Sequence, residues 1–205
     1  GGIQGESGSS PETGPVPAEP FSGTSAKLTE EVIAHYHGNL LSSGKALAYL
    51  EKRGLKDFAM IKEFKIGCCD GKSLLPRLSA KQKTALKETG ILNKQGREHF
   101  SGCITFPCYT KTGKAGEIYG RRITDREPVH LYLPGPHEGV LNLKAAKVYD
   151  TIILTESIID ALSLYKLGIK NVQPLYGTGG FTPGHLDNLK EAPHASLTIA
   201  LALDN

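Results

Sequence analysis

Leu28, Val32, His35 and Tyr36 recur at the three- and four-residue spacing of one helix face. Ala46, Leu47, Tyr49 and Leu50 repeat that spacing before Gly54, which suits a left-handed helix stop. The pattern predicts two opening helices. Residues 64–67 (FKIG) read as a short strand, and Ser79 with Gln82 reads as a capping box for a helix that ends at Gly90. Next, CITFPCYT and EIYGRRIT flank the turn segment KTGKAG, which predicts a β-hairpin with a basic loop. Arg121 and Arg122 are neighbours on the return strand, so at least one of them points away from the core.

From Thr151 the pattern alternates. TIILT is a short apolar run, SIIDALSLYKLG a helix closed by Gly168, NVQPLYG a second strand, and Thr182-Pro183 the start of a helix with Pro in its first turn. SLTIALALD reads as a third buried strand. Strand, helix, strand, helix, strand within about 55 residues predicts a parallel sheet with right-handed crossovers. The expected fold is therefore α/β, with a mixed α+β N-terminal subdomain over 27–145 and a parallel β-sheet flanked by helices over 146–205. The chain stops just after the last apolar run, so this sheet is expected to be incomplete at the C-terminus, as in a fragment of a longer protein.

Composition narrows the class. The 205 residues are 39% hydrophobic and 22% charged, enough for one or two globular domains. No apolar stretch reaches the roughly 20 residues that span a bilayer, and no basic-then-apolar leader opens the chain, so no membrane role is expected. Residues 1–26 are rich in Gly, Ser, Pro and Glu and lack any Lys or Arg, which predicts a disordered linker or tag. Four irregularly spaced cysteines suit a reducing interior, and the expected location is cytoplasmic.

The net charge of +3 hides a split: residues 45–122 carry +10 and residues 123–205 carry −3. A basic half joined to a carboxylate-bearing half suits a metal enzyme that handles polyanions, with solvated surface charge as the plainer reading. Lys111, Lys114, Arg121 and Arg122 all fall on the hairpin, where they can line a groove for a single strand or simply sit in solvent.

In an open α/β sheet, ligands gather at the carboxyl ends of the strands. Glu156 directly follows TIILT and Asp204 directly follows SLTIALAL, so both acids are delivered to one edge. Asp160 lies one helical turn beyond Glu156 and can support them. Oxygen ligands with open water positions suit Mg²⁺ or Mn²⁺. The alternative is that Glu156 and Asp160 serve only the N-terminal end of a helix dipole.

These residues resemble a known family. TIILTESIIDALSLYKLGIKNVQPLYGT followed by IALALDN is similar to the Toprim domain, with Glu156, Gly177 and Asp204 at its strand-end Glu, Gly and first Asp; the second Asp of the pair would lie past Asn205. Upstream, ALAYLEKRGL, FKIG and ITFPCYTKTGKAGEIYGRRI resemble the N-terminal subdomain of the bacterial DnaG-type primase core, and the likeness runs from about Leu28 to the end. It implies synthesis of short RNA primers on a single-stranded DNA template from NTPs, in DNA replication, by two-metal nucleotidyl transfer. A replicative helicase is a further partner of that setting. On this resemblance Glu156, Asp204 and Asp160 are the catalytic, metal-holding acids, and Arg121, Arg122, Lys111 and Lys114 hold template and triphosphate. Arg122 matches the family's Gly-Arg element. The sequence departs from the pattern at two cation positions, where it has Cys103 and the run His130-Leu131-Tyr132-Leu133. A Toprim nuclease and a non-catalytic, primase-like DNA-binding module are the alternatives.

Zinc is not expected. Cys103 and Cys108 are five apart on a strand and face opposite sides, and Cys68 and Cys69 are adjacent. His35 and His37 point in different directions from their helix. LYGTGGFTPG lacks the Lys-Ser/Thr ending of a P-loop, so its glycines are expected to permit close backbone approach beside the acidic edge.

Overall fold

The computed structural model describes residues 25–203, so the expected linker or tag, save its last two residues, lies outside the described residues. So does Asp204. Three helices come first: α1 (Ser25–Leu41), α2 (Gly44–Lys52) and α3 (Phe58–Glu63). Ser43 and Asp57 cap the second and third by accepting from the Ala46 and Met60 amides, as short polar side chains do at helix starts. The third helix has too few residues to show a periodic signal. It also displaces the expected FKIG strand: Phe64 caps α3, Lys65 sits at φ 47, and strand β1 begins only at Gly67, over Gly67–Cys69.

Helix α4 (Ala80–Glu88) carries the expected capping box between Ser79 and Gln82, and Gly90 follows it at φ 78. The hairpin of β2 (Cys103–Tyr109) and β3 (Ala115–Arg122) is also as read, but it belongs to a larger antiparallel sheet of order β1-β2-β3-β4, closed by the two-residue β4 (His130–Leu131). This sheet is covered on both faces. Ile104, Phe106, Cys108 and Tyr119 point into one core with Leu50, Ile61 and Leu162, whereas Cys103 and Ile118 point into another with Tyr36, Leu86 and Phe100. The two-residue alternation of a strand produces that division.

The second sheet is three-stranded and parallel, in the order β6-β5-β7, from β5 (Thr151–Thr155), β6 (Val172–Pro174) and β7 (Thr198–Ala202). Helix α6 (Ile158–Lys166) shares the first core, and the short α5 (Ala145–Val148) packs with Ile152, Leu154 and Leu175 on the opposite face. Helix α7 (Pro183–Lys190) starts with Pro as expected. The reading of β7 as buried needs correction. All five of its residues are exposed, Leu201 at 66%, because β7 is the edge strand and no described element covers it.

Candidate active site

Glu156 leaves the carboxyl end of β5, the central strand of the parallel sheet, and is half-buried. Ser157 follows as the N-cap of α6, so the chain turns sharply at the acid. β7 runs parallel to β5 with Thr155 opposite Ala202, two residues before Asp204. Asp160 lies in the first turn of α6, exposed, and accepts a 2.6 Å hydrogen bond from the Ser157 hydroxyl while its amide donates back to that oxygen. Its carboxylate is engaged by the helix cap. Among the described residues no group of three His, Cys, Asp or Glu is placed to hold a metal. Glu156 offers a hard oxygen donor at the sheet edge, of the type that suits a divalent cation, and the other expected strand-end donor, Asp204, lies outside the described residues.

The loop after β6 is built against this edge. Gly177 donates its amide to the Glu156 carbonyl at 3.1 Å, and Gly180 donates to the Gly177 carbonyl at 2.9 Å. Gly177 has φ 87, and a Cβ on Gly180 would lie 2.3 Å from the Tyr176 backbone, so glycine is required at both points. The expectation of close backbone approach here is met.

The four hairpin cations do not form one cluster. Lys111 lies in the turn and is paired with Glu191, just past α7, at 2.6 Å; Lys114 is exposed at the same turn. Arg121 and Arg122 are at the far end of an eight-residue strand, roughly 20 Å away, and leave opposite faces of the sheet. Arg121 donates through Nε to the Tyr49 hydroxyl (3.2 Å) and through Nη1 to His130 Nε2 (2.8 Å). Arg122 donates through Nε to the Pro128 carbonyl (2.9 Å) and through Nη1 to the Ser101 carbonyl (2.8 Å), which ties the loop after β3 to the segment before β2. Cys103 is fully buried and Leu131 nearly so.

Sequence reasoning missed a row of rings that joins the two halves. His130 meets the Tyr119 hydroxyl at 2.9 Å, and centroid distances of 5.2, 4.6 and 4.7 Å then lead through Tyr132 and His137 to Tyr176. Glu117 underlies the row. It is 1% exposed, accepts from the Ile118 and Leu133 amides at 2.8 and 2.7 Å, and accepts from His137 Nδ1 at 2.7 Å. Burial pushes its carboxyl above the ordinary value, against the pull of His137 and the two amides. An acid directly before the apolar Ile118-Tyr119 pair of β3 was the available signal.

Two clefts of about 280 and 430 Å³ lie beside the hairpin turn, and Tyr109 and Lys111 line both. The cysteines are all free and buried; Cys103 and Cys108 face different cores, as expected, and burial pushes their thiols up to about 11 and about 12. His35 is held between Ser73 and Arg77, and His37 bonds the Ile66 carbonyl, so both are structural. No helix among the described residues is long and apolar enough to cross a membrane.

A family model described as the DNA primase catalytic core, N-terminal domain, matches residues 35–151, and one described as Toprim-like matches residues 153–205. The DNA primase of Clostridium acetobutylicum is 30% identical over 169 residues, which cover 74% of this chain and 28% of that protein. The chain thus spans less than a third of that relative's length. The E. coli primase catalytic core has a TM-score of 0.73 at 23% identity, over 87% of this chain and 61% of that one. A DnaG primase catalytic domain bound to single-stranded DNA has a TM-score of 0.72 at 23% identity, over 86% of this chain and 62% of that one. These two structures share the fold described above.

Proposed function

The chain belongs to the family of the DNA primase catalytic core, N-terminal domain, with a Toprim-like part after it, and from that membership we propose that it is the polymerase core of a DNA primase. Its reaction joins NTPs into short RNA primers on a single-stranded DNA template during replication. The observation that carries this reading is the placement of Glu156 at the carboxyl end of the central parallel strand, with β7 in register toward Asp204 and a glycine loop closed against the same edge.

Glu156 and Asp204 would hold Mg²⁺ or Mn²⁺, which supplies charge stabilisation to the attacking and leaving oxygens of a phosphoryl transfer. The chain's own residues do the rest. Arg121, oriented by Tyr49 and His130, offers a positive charge to triphosphate or template. Lys111 and Lys114 supply weaker, more distant contacts along the backbone of the strand. Arg122 acts by fixing the loop after β3. The subdomain border near residue 145 belongs to the same proposal, as does a cytoplasmic setting with a helicase partner.

Incubating the full-length gene product with single-stranded DNA, NTPs and Mn²⁺ tests the proposal. Labelled oligoribonucleotides that depend on template and metal are the expected result. The burial of Cys103 where the family has a cation favours one other reading, a module that binds template without synthesis. Template binding with no product under any divalent metal would establish it.

A further inference from the structure

Glu117 and His137 have no place in the roles assigned so far, yet both oxygens of this buried acid are hydrogen-bonded, one of them by His137. A carboxylate buried in a strand is expensive to desolvate, and an apolar residue would pack there at least as well. What the acid adds is direction. One of its oxygens, Oε1, is fixed by the Ile118 and Leu133 amides, and the other, Oε2, sets the orientation of the His137 ring by accepting from Nδ1.

That ring lies on Tyr176 with centroids 4.7 Å apart and planes 18° apart. Tyr176 is also anchored by its hydroxyl, which donates to the Gly139 carbonyl at 2.8 Å, and by its amide, which donates to the Gly180 carbonyl at 3.3 Å. The next residue is Gly177, whose amide holds the backbone of Glu156. Strand β3 of the antiparallel sheet is in this way linked to the acidic edge of the parallel sheet by three consecutive contacts.

We propose that Glu117 and His137 are positioning residues for the Glu156 site: the buried acid clamps the His137 ring against Tyr176, and the clamped Tyr176 holds the loop on which Glu156 rests. This rests on the reading of Glu156 as the acid of the reacting edge.

Hydrogen exchange of this chain, read in the peptide over residues 176–180 without metal or nucleotide, tests the clamp. His137→Ala should speed exchange there by about threefold to tenfold, the range expected for one aromatic pair. Glu117→Gln should do the same, the double variant should add nothing further, and exchange in β2 should stay unchanged. If His137→Ala orphans the acid and unfolds the protein, Glu117→Leu with His137→Ala removes both partners and reads the loop alone. Wild-type exchange over 176–180 in the folded variants would overturn the clamp. In primer synthesis, Glu117→Gln should lower kcat about tenfold with the KM for NTP unchanged, and an unchanged kcat would overturn the positioning role. Absence of product from the wild type together with fast loop exchange in the variants would instead remove the polymerase reading and leave the clamp standing.

Discussion

Replacing Arg122 by Ala separates two roles that the sequence alone leaves merged. The structure places two of its donors on the backbone carbonyls of Pro128 and Ser101, at 2.9 and 2.8 Å. A hydrogen bond from a charged group is worth about 1.5–3 kcal/mol where buried, and Arg122 is only half-buried, so the two together are worth about 2–3 kcal/mol. For a protein of this size that lowers Tm by about 4–12 °C. Arg122→Lys should recover less than half, because one ammonium cannot occupy the separate positions of Nε and Nη1. The assay pairs thermal unfolding with single-stranded DNA binding at several salt concentrations. Arg122→Ala should lower Tm and leave the slope of log K against log salt unchanged, whereas Arg121→Ala should reduce that slope by about 0.7, one phosphate contact. Wild-type Tm with a flattened slope for Arg122→Ala would refute the reasoning.

Two further outcomes follow from buried groups. Burial raises the Glu98 carboxyl above its ordinary value although Tyr36 and Cys69 donate to it, so the native state binds this proton more tightly than the unfolded chain does. Its contribution is therefore full below the ordinary carboxyl value of 4.5 and is lost as pH rises through the raised one; Glu98→Gln should flatten that part of a urea-midpoint profile, and parallel profiles would contradict the assignment. Burial also pushes the Cys68 and Cys103 thiols to about 11, Cys108 to about 12 and Cys69 well above its ordinary value, so none of the four cysteines should react with a disulfide reagent near pH 8 until denaturant is added. Fast labelling of one thiol in the native protein would show that its pocket is open.

Local chemistry made much of the fold legible. The Ser79–Gln82 box, the Pro at the start of α7 and the two-residue alternation in β2 each act within a few residues, and each appears where it was read. Features that depend on tertiary context were hidden. Helix α3 is six residues long, β4 only two, and β7 is apolar yet exposed because its neighbours, not its composition, decide burial. At the site, the strand-end rule located Glu156, since parallel strands bring their carboxyl ends to one edge. The same rule could not show that one oxygen of Asp160 would accept from the Ser157 hydroxyl. The Glu117–His137 contact joins residues 20 apart and leaves no local pattern, apart from an acid directly before the apolar Ile118-Tyr119 pair.

Glu156 as the metal-holding acid of a primase core is tested most directly by template-dependent primer synthesis with Glu156→Gln in the full-length gene product. The account predicts a fall of roughly two orders of magnitude or more with Mg²⁺ or Mn²⁺, at unchanged Tm and unchanged DNA affinity. Near-normal turnover by this variant would contradict it.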